Sequence, residues 1–178
     1  MPHLSAEQIS QVSEFVAGYI SDQRKRFLNL AANLSTTQKA RLTGFFRPDL
    51  LDTTRILVLQ NERIGNPGFY SMLKGLGFSN LPDFAQMAAV TFQDVVVSHE
   101  PFSDGVLFHE LVHVEQYRQL KVPRFAALYV RGFLRGGGYD GIPLERNAYD
   151  LGARFEAQPH QPFSVEREVS MWITQDRF

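Results

Sequence analysis

Two histidines four residues apart, His109 and His113, stand in the stretch FHELVHVEQYRQL (Phe108 to Leu120), with Glu110 beside the first. Residues at i and i+4 share one face of a helix, with roughly 6 Å between their Cβ atoms. That spacing suits two imidazole nitrogens on one ion at about 2 Å each. Glu110 lies about 100° around the helix from His109. It is poorly placed as a third ligand and well placed as a base. It can take a proton from a water that the metal activates and pass it to a leaving amine. This is the mechanical sense of the pattern H-E-x-x-H. The alternative is a pair of satisfied core histidines with Glu110 in an ion pair, because Leu107, Phe108, Leu111, Val112 and Val114 predict a buried helix.

Two histidines do not hold zinc alone. The chain has no cysteine, so Zn2+ needs nitrogen and oxygen ligands, and a disulfide framework is excluded. Candidate third ligands are Glu115, His99, Asp140, Glu145 and His160. Glu115 points nearly opposite to the histidine pair. Glu145 follows His113 by 32 residues and opens a helix just beyond the glycine-rich RGGGYDG (Arg135 to Gly141). The chain can turn back there and set a second helix against the first. Glu145, Ala148 and Tyr149 then share nearly one face, and the small Ala148 permits close packing. By itself Glu145 also reads as a helix N-terminal carboxylate favoured by the macrodipole.

The elements that must position these groups follow from periodicity. Ser5 to about Leu34 is expected as a long amphipathic helix, with Ser5 and Gln8 forming a capping box. A shorter helix runs from Thr36 or Thr37 to Phe46, and Pro48 ends it. TRILVLQ (Thr54 to Gln60) is a candidate strand and GNPG (Gly65 to Gly68) a turn. FYSMLKGLGF (Phe69 to Phe78) is ambiguous, its glycines weakening a helix. AAVTFQDVVVSHE (Ala88 to Glu100) is the best strand pattern in the chain. Ser103 or Asp104 caps the histidine helix, which reaches about Lys121. Helices started by Pro123 and Pro143, and a last one from Ser164 to Gln175, complete the pattern. RGGGYDG reads as the most flexible stretch. Tyr129 to Tyr139 is either a mobile flap over the cleft or a surface loop. The segment PHQPFSVERE after Gln158 is polar and proline-marked enough to lie across a cleft.

HELVH followed by a helix carrying ERNAY resembles the gluzincin branch of the zincin metallopeptidases. It looks most like small gluzincin-like proteins of bacteria that carry HELxHVxQ after a strand, which Val114 and Gln116 match. The likeness covers roughly Ala88 to Phe155. It implies that His109, His113 and Glu145 are the zinc ligands and Glu110 the general base. It also implies that VTFQDVVVS (Val90 to Ser98) is a sheet edge that binds extended peptide by strand addition. Larger members place an aspartate four residues after the ligand glutamate to orient a histidine. Here that position is Tyr149, with Asp150 next, so the outer shell departs from the pattern. Tyr149, Tyr139 and His99 are candidate oxyanion donors, and Gln116, on the histidine face, is placed to bond a backbone group.

The expected architecture is a single α+β domain over 1–178. It comprises an N-terminal helical segment (1–50) forming a hairpin, a zincin-like metal-binding core (51–160) with a small, mostly antiparallel sheet, and a C-terminal helix (161–178). Length allows one domain with a sizeable core. A net charge of −1 argues against nucleic acid or an anionic membrane as partner. No secretory signal or membrane span is seen, so a cytoplasmic protein is the default expectation. Peptide or protein is the expected substrate, and the oligomeric state is not read from the chain. The rival expectations are a catalytically idle metal-binding protein, marked by a closed fourth coordination position, and a metal-free helical interaction module.

Overall fold

The computed structural model describes residues 2–178. The first helix, α1 (Ala6–Leu28), opens on the expected capping box: Ser5 Oγ accepts from the Gln8 amide, and the Gln8 side chain accepts from the Ser5 amide. It ends at Leu28, short of Leu34, because the chain there forms β1 (Ala32–Asn33). A second capping box, Ser35 with Gln38, starts α2 (Thr36–Leu42). Pro48 does not terminate that helix. It opens α3 (Pro48–Thr53), where its missing N–H costs nothing in the first turn. The expected helical hairpin is not formed: β1 intervenes, α1 packs on α5 and the sheet, and α2 packs on α5.

Four strands make one sheet in the order β1-β2-β4-β3, with β2 spanning Arg55–Val58, β3 Ala89–Phe92 and β4 Val95–Ser98. Only the β2–β4 pairing is parallel. The long strand expected over Ala88 to Glu100 is therefore a hairpin. Its two-residue turn, Gln93-Asp94, puts Gln93 at φ +62°, a conformation usually given to glycine or asparagine. Of this hairpin only β3 lies at a sheet edge, with β1 at the other, so β4 is central and only the first part of Val90 to Ser98 is the expected edge.

Alternation along the hairpin sorts its two faces. Val96 joins the cluster with Leu107, Leu111 and Val112, whereas Val95, Val97 and Phe92 face Phe27 of α1. The sheet is thus covered on both sides, which explains three consecutive buried valines in the central strand β4. Thr91 pairs with Val96 and so faces the same way, toward α5 (Asp104–Gly136).

The long α5 is the spine. It is two helical pieces joined at Lys121 (φ +61°, ψ 159°), two residues before Pro123, as the proline predicts. Its second piece carries buried Phe125, Ala126, Val130 and Phe133, so Tyr129 to Gly136 is neither flap nor loop. A short α4 (Tyr70–Gly75) lies between β2 and β3. Then follow α6 (Pro143–Ala157) and α7 (Val165–Thr174). An aromatic cluster of Phe45, Phe46, Phe108, Phe155 and Phe163 ties the N-terminal and C-terminal segments to α5 and α6. Phe163 belongs to that core and Val165 N–H donates to Phe45 O, so the segment after Gln158 closes the core instead of crossing a cleft. No helix among the described residues is long and apolar enough to cross a membrane.

Candidate metal centre

The turn between α5 and α6 decides where Glu145 goes. α5 ends on Gly137 in the left-handed conformation (φ +78°), and Gly138 follows at φ +145°. Gly136 and Gly141 then meet so closely that a Cβ on Gly136 would lie 2.4 Å from Gly141 Cα. Asn80 Nδ2 donates to Gly137 O from outside the turn. The chain reverses in a single 3-10 turn (Tyr139–Gly141), and Pro143 starts α6 against α5. Buried Ala148 lets the two helices approach, and Glu145 on the first turn of α6 projects at the histidines.

There the side chains converge. His109 Nε2 and His113 Nε2 are 3.2 Å apart. Glu145 Oε2 lies 3.2 Å from His113 Nε2 and 3.5 Å from His109 Nε2. A tetrahedral zinc with bonds near 2.0–2.1 Å spaces its ligand atoms by roughly 3.3–3.4 Å. The triangle already has that size, and its donors are two imidazole nitrogens and a carboxylate oxygen, a set that suits zinc. The residues present therefore fit such an ion. Among the described residues these three are the only group of three or more His, Cys, Asp or Glu side chains so gathered. Glu115, Asp140, His99 and His160 are not part of it. Glu115 is bound instead to Arg118 and Gln119.

Electrostatics already link the three groups. Burial opposes charge on His113, but the Glu145 carboxylate outweighs it and lifts the imidazole to about 9. In return, burial works to raise the Glu145 carboxyl, and His113 and His109 together hold it far below its ordinary range. Tyr139 O–H donates to Glu145 Oε2 at 2.9 Å, and burial next to that carboxylate pushes the phenol up.

The chain matches no family model, no curated protein and no solved structure. What the site can do therefore rests on its own geometry.

Gln116 holds His113 from the side away from the triangle. Its Nε2 donates to Leu144 O and to Asn147 Oδ1, both at 3.0 Å, which turns its Oε1 toward His113 Nδ1 at 2.9 Å. Leu144 O can only accept, so the amide orientation is settled and His113 must carry a proton on Nδ1. His113 Nε2 is thereby aimed at His109 and Glu145. One buried glutamine orients a histidine of α5 and joins it to the start of α6.

Glu110 is also held from outside its helix. Thr91 Oγ1 on the edge strand donates to Glu110 Oε2 at 2.6 Å, the length of a charge-assisted bond. Thr91 was not a candidate in the sequence. The only signal was its place as the hydroxyl residue in an otherwise apolar strand.

The three proposed oxyanion donors separate. His99 uses both ring nitrogens structurally, Nε2 accepting from Ile64 N–H at 3.0 Å and Nδ1 donating to Met87 O at 2.7 Å. It has no donor left for a reaction. Tyr139 is committed to Glu145. Tyr149 is 56% exposed, its ring 4.5 Å from that of His109, at the rim of an open groove also lined by His109 and Glu110. A smaller, aromatic-walled cavity shares His109 and Glu110 with that groove.

Proposed function

We propose that this protein is a zinc-dependent hydrolase of the zincin type, most simply a metallopeptidase. The observation that carries the reading is the triangle of His109, His113 and Glu145, with no fourth His, Cys, Asp or Glu gathered with it among the described residues, next to the buried carboxylate of Glu110. Structural zinc sites are closed by four protein ligands, whereas catalytic ones leave a position for water or substrate. Zinc held by these three residues would polarise a substrate carbonyl and lower the pKa of a water.

The rest belongs to the protein. Glu110, fixed by Thr91, takes the proton of the attacking water and delivers it to the leaving amine. The outer edge of β3, which pairs with no other strand, supports an extended peptide laid beside it by strand addition. Tyr149, exposed and with its ring against that of His109, is the side chain that would donate to the developing oxyanion.

Glu110→Gln keeps the size of the side chain and its contact with Thr91 but removes the base. It should bind zinc with unchanged stoichiometry and lose hydrolysis by about 10²- to 10⁴-fold. A variant that cleaves peptides as fast as the parent chain removes Glu110 from the mechanism.

A further inference from the structure

The chain has six tyrosines, and all six surround this one site. Tyr19, Tyr70, Tyr117, Tyr129 and Tyr139 line the cavity behind Glu110, and Tyr149 lines the groove in front. They come from α1, α4, both pieces of α5, the 3-10 turn and α6, so no local repeat gathers them. Their hydroxyls are partly spent on the protein. Tyr19 donates to Gly65 O and Tyr139 to Glu145, while Tyr117 reaches Thr91 O at 3.4 Å. These tyrosines therefore present rings to the cavity. Phe69, Phe84, Phe92 and Phe125 add four more rings to its walls.

Two further properties define an occupant. No lysine, arginine or aspartate lines the cavity, and its only ionisable acids and imidazoles are those of the proposed reaction centre. A charged side chain would lose its hydration there, and the only ionic partners it could find are the groups committed to the proposed reaction centre. The cavity measures about 90 Å³. That is smaller than the roughly 150 Å³ that admits a benzene ring in a rigid apolar core. Its size suits a branched or thioether aliphatic chain, and a phenyl or indole ring would need a wall to move. The groove differs in kind: it is open, at about 420 Å³, and includes Gly152, whose face is free, and Ala153, which leave room for main chain.

We infer that the aromatic cavity behind Glu110 is a specificity pocket that takes an uncharged aliphatic side chain, leucine or methionine in type, from the residue flanking the bond to be cleaved. The inference rests on the hydrolase reading and adds the substrate class. Phe84 sets the size limit. It lies on the segment between β2 and β3, half-buried, and stacks on Tyr19 with ring centres 5.6 Å apart. It belongs to neither the metal triangle nor the proton path.

The test is cleavage-site mapping of a randomised peptide library by the zinc-loaded protein, run beside Phe84→Ala and Phe84→Leu. Calorimetric binding of two otherwise identical peptides, one with leucine and one with aspartate at the central position, to Glu110→Gln gives a readout independent of turnover. One flanking position should favour leucine and methionine over aspartate, glutamate, lysine and arginine by at least about tenfold, the scale set by small changes in an apolar pocket. The Phe84 variants should shift that position toward phenylalanine and tyrosine. Cleavage with no preference at either flanking position, or with charged residues accepted equally, overturns the pocket and leaves the hydrolase reading standing. No cleavage of any peptide, with leucine still bound at least about tenfold more tightly than aspartate, keeps the pocket and sinks the hydrolase reading. No cleavage and no discrimination in binding sinks both.

Discussion

Gln116 shows how much one side chain can organise. It is fully buried, and it has three partners across two helices. Gln116→Leu would leave the His113 Nδ1–H, Leu144 O and Asn147 Oδ1 without it. Loss of such an orienting contact typically weakens a metal site by about 10- to 100-fold. Chelator competition should show zinc affinity falling by that factor, with the fold retained by circular dichroism. An unchanged affinity would make Gln116 a packing residue. The charge pair makes a second prediction at this scale. A folded-state pKa raised above its unfolded value stabilises fully below that value, here 6.5 for His113, and the contribution is lost as pH rises through about 9. The depressed Glu145 carboxyl contributes above its ordinary 4.5 and fades as pH falls below it. For this pair the metal-free protein is most stable between about 4.5 and 6.5. Zinc must displace the His113 proton, so its affinity should rise with pH up to about 9. Melting curves with and without chelator check both. The chelated protein should lose stability from 6.5 to about 9 while the increment from zinc grows. A chelated melting temperature that stays flat over that range contradicts the pairing.

At the scale of elements, the α5–α6 corner places Glu145 beside the two histidines. Gly136→Ala would drive a methyl group into the backbone of Gly141, which cannot give way as a side-chain end can. The expected cost is about 1–3 kcal/mol, with loss of zinc binding as Glu145 swings off the histidines. Denaturant unfolding and metal titration measure both, and an undisturbed variant would mean that the corner has room the structure does not show. The same scale explains which parts could be read from the chain. His109, Glu110 and His113 were legible because i, i+4 spacing is local. Glu145 was legible because a glycine-rich reversal and a proline mark its helix as folding back. The hairpin was not, since Gln93-Asp94 carries no glycine or asparagine and Gln93 takes its positive φ without a sequence signal. A two-residue strand such as β1 has no period to detect. Pro48 ends one helix or begins another with equal local logic, and only packing chooses. Thr91 became visible only once cross-strand pairing with Val96 turned it toward α5. The tyrosines, spread from residue 19 to 149, are gathered by tertiary structure alone.

For the whole molecule, the metal triangle sits where separate bodies of core meet. One cluster joins α2, α3, α6 and α7 to the first piece of α5, another joins α1 and α4 to its second piece, and a third lies between α1 and the sheet. α5 contributes to the first two, so the histidines lie on the element that ties them together. An ion bound only by the folded chain adds RT ln(1 + [L]/Kd) to stability, roughly 4 kcal/mol at a thousandfold excess over Kd. Metal binding should therefore report on the global fold as well as on the proposed chemistry.

The most direct measurement is elemental analysis of protein purified without a histidine tag, beside Glu145→Ala. The account predicts about one zinc per chain in the parent protein and its loss in the variant. No bound metal, and no uptake when zinc is supplied, would leave His109 and His113 as core residues and contradict the metal centre on which the proposed chemistry depends.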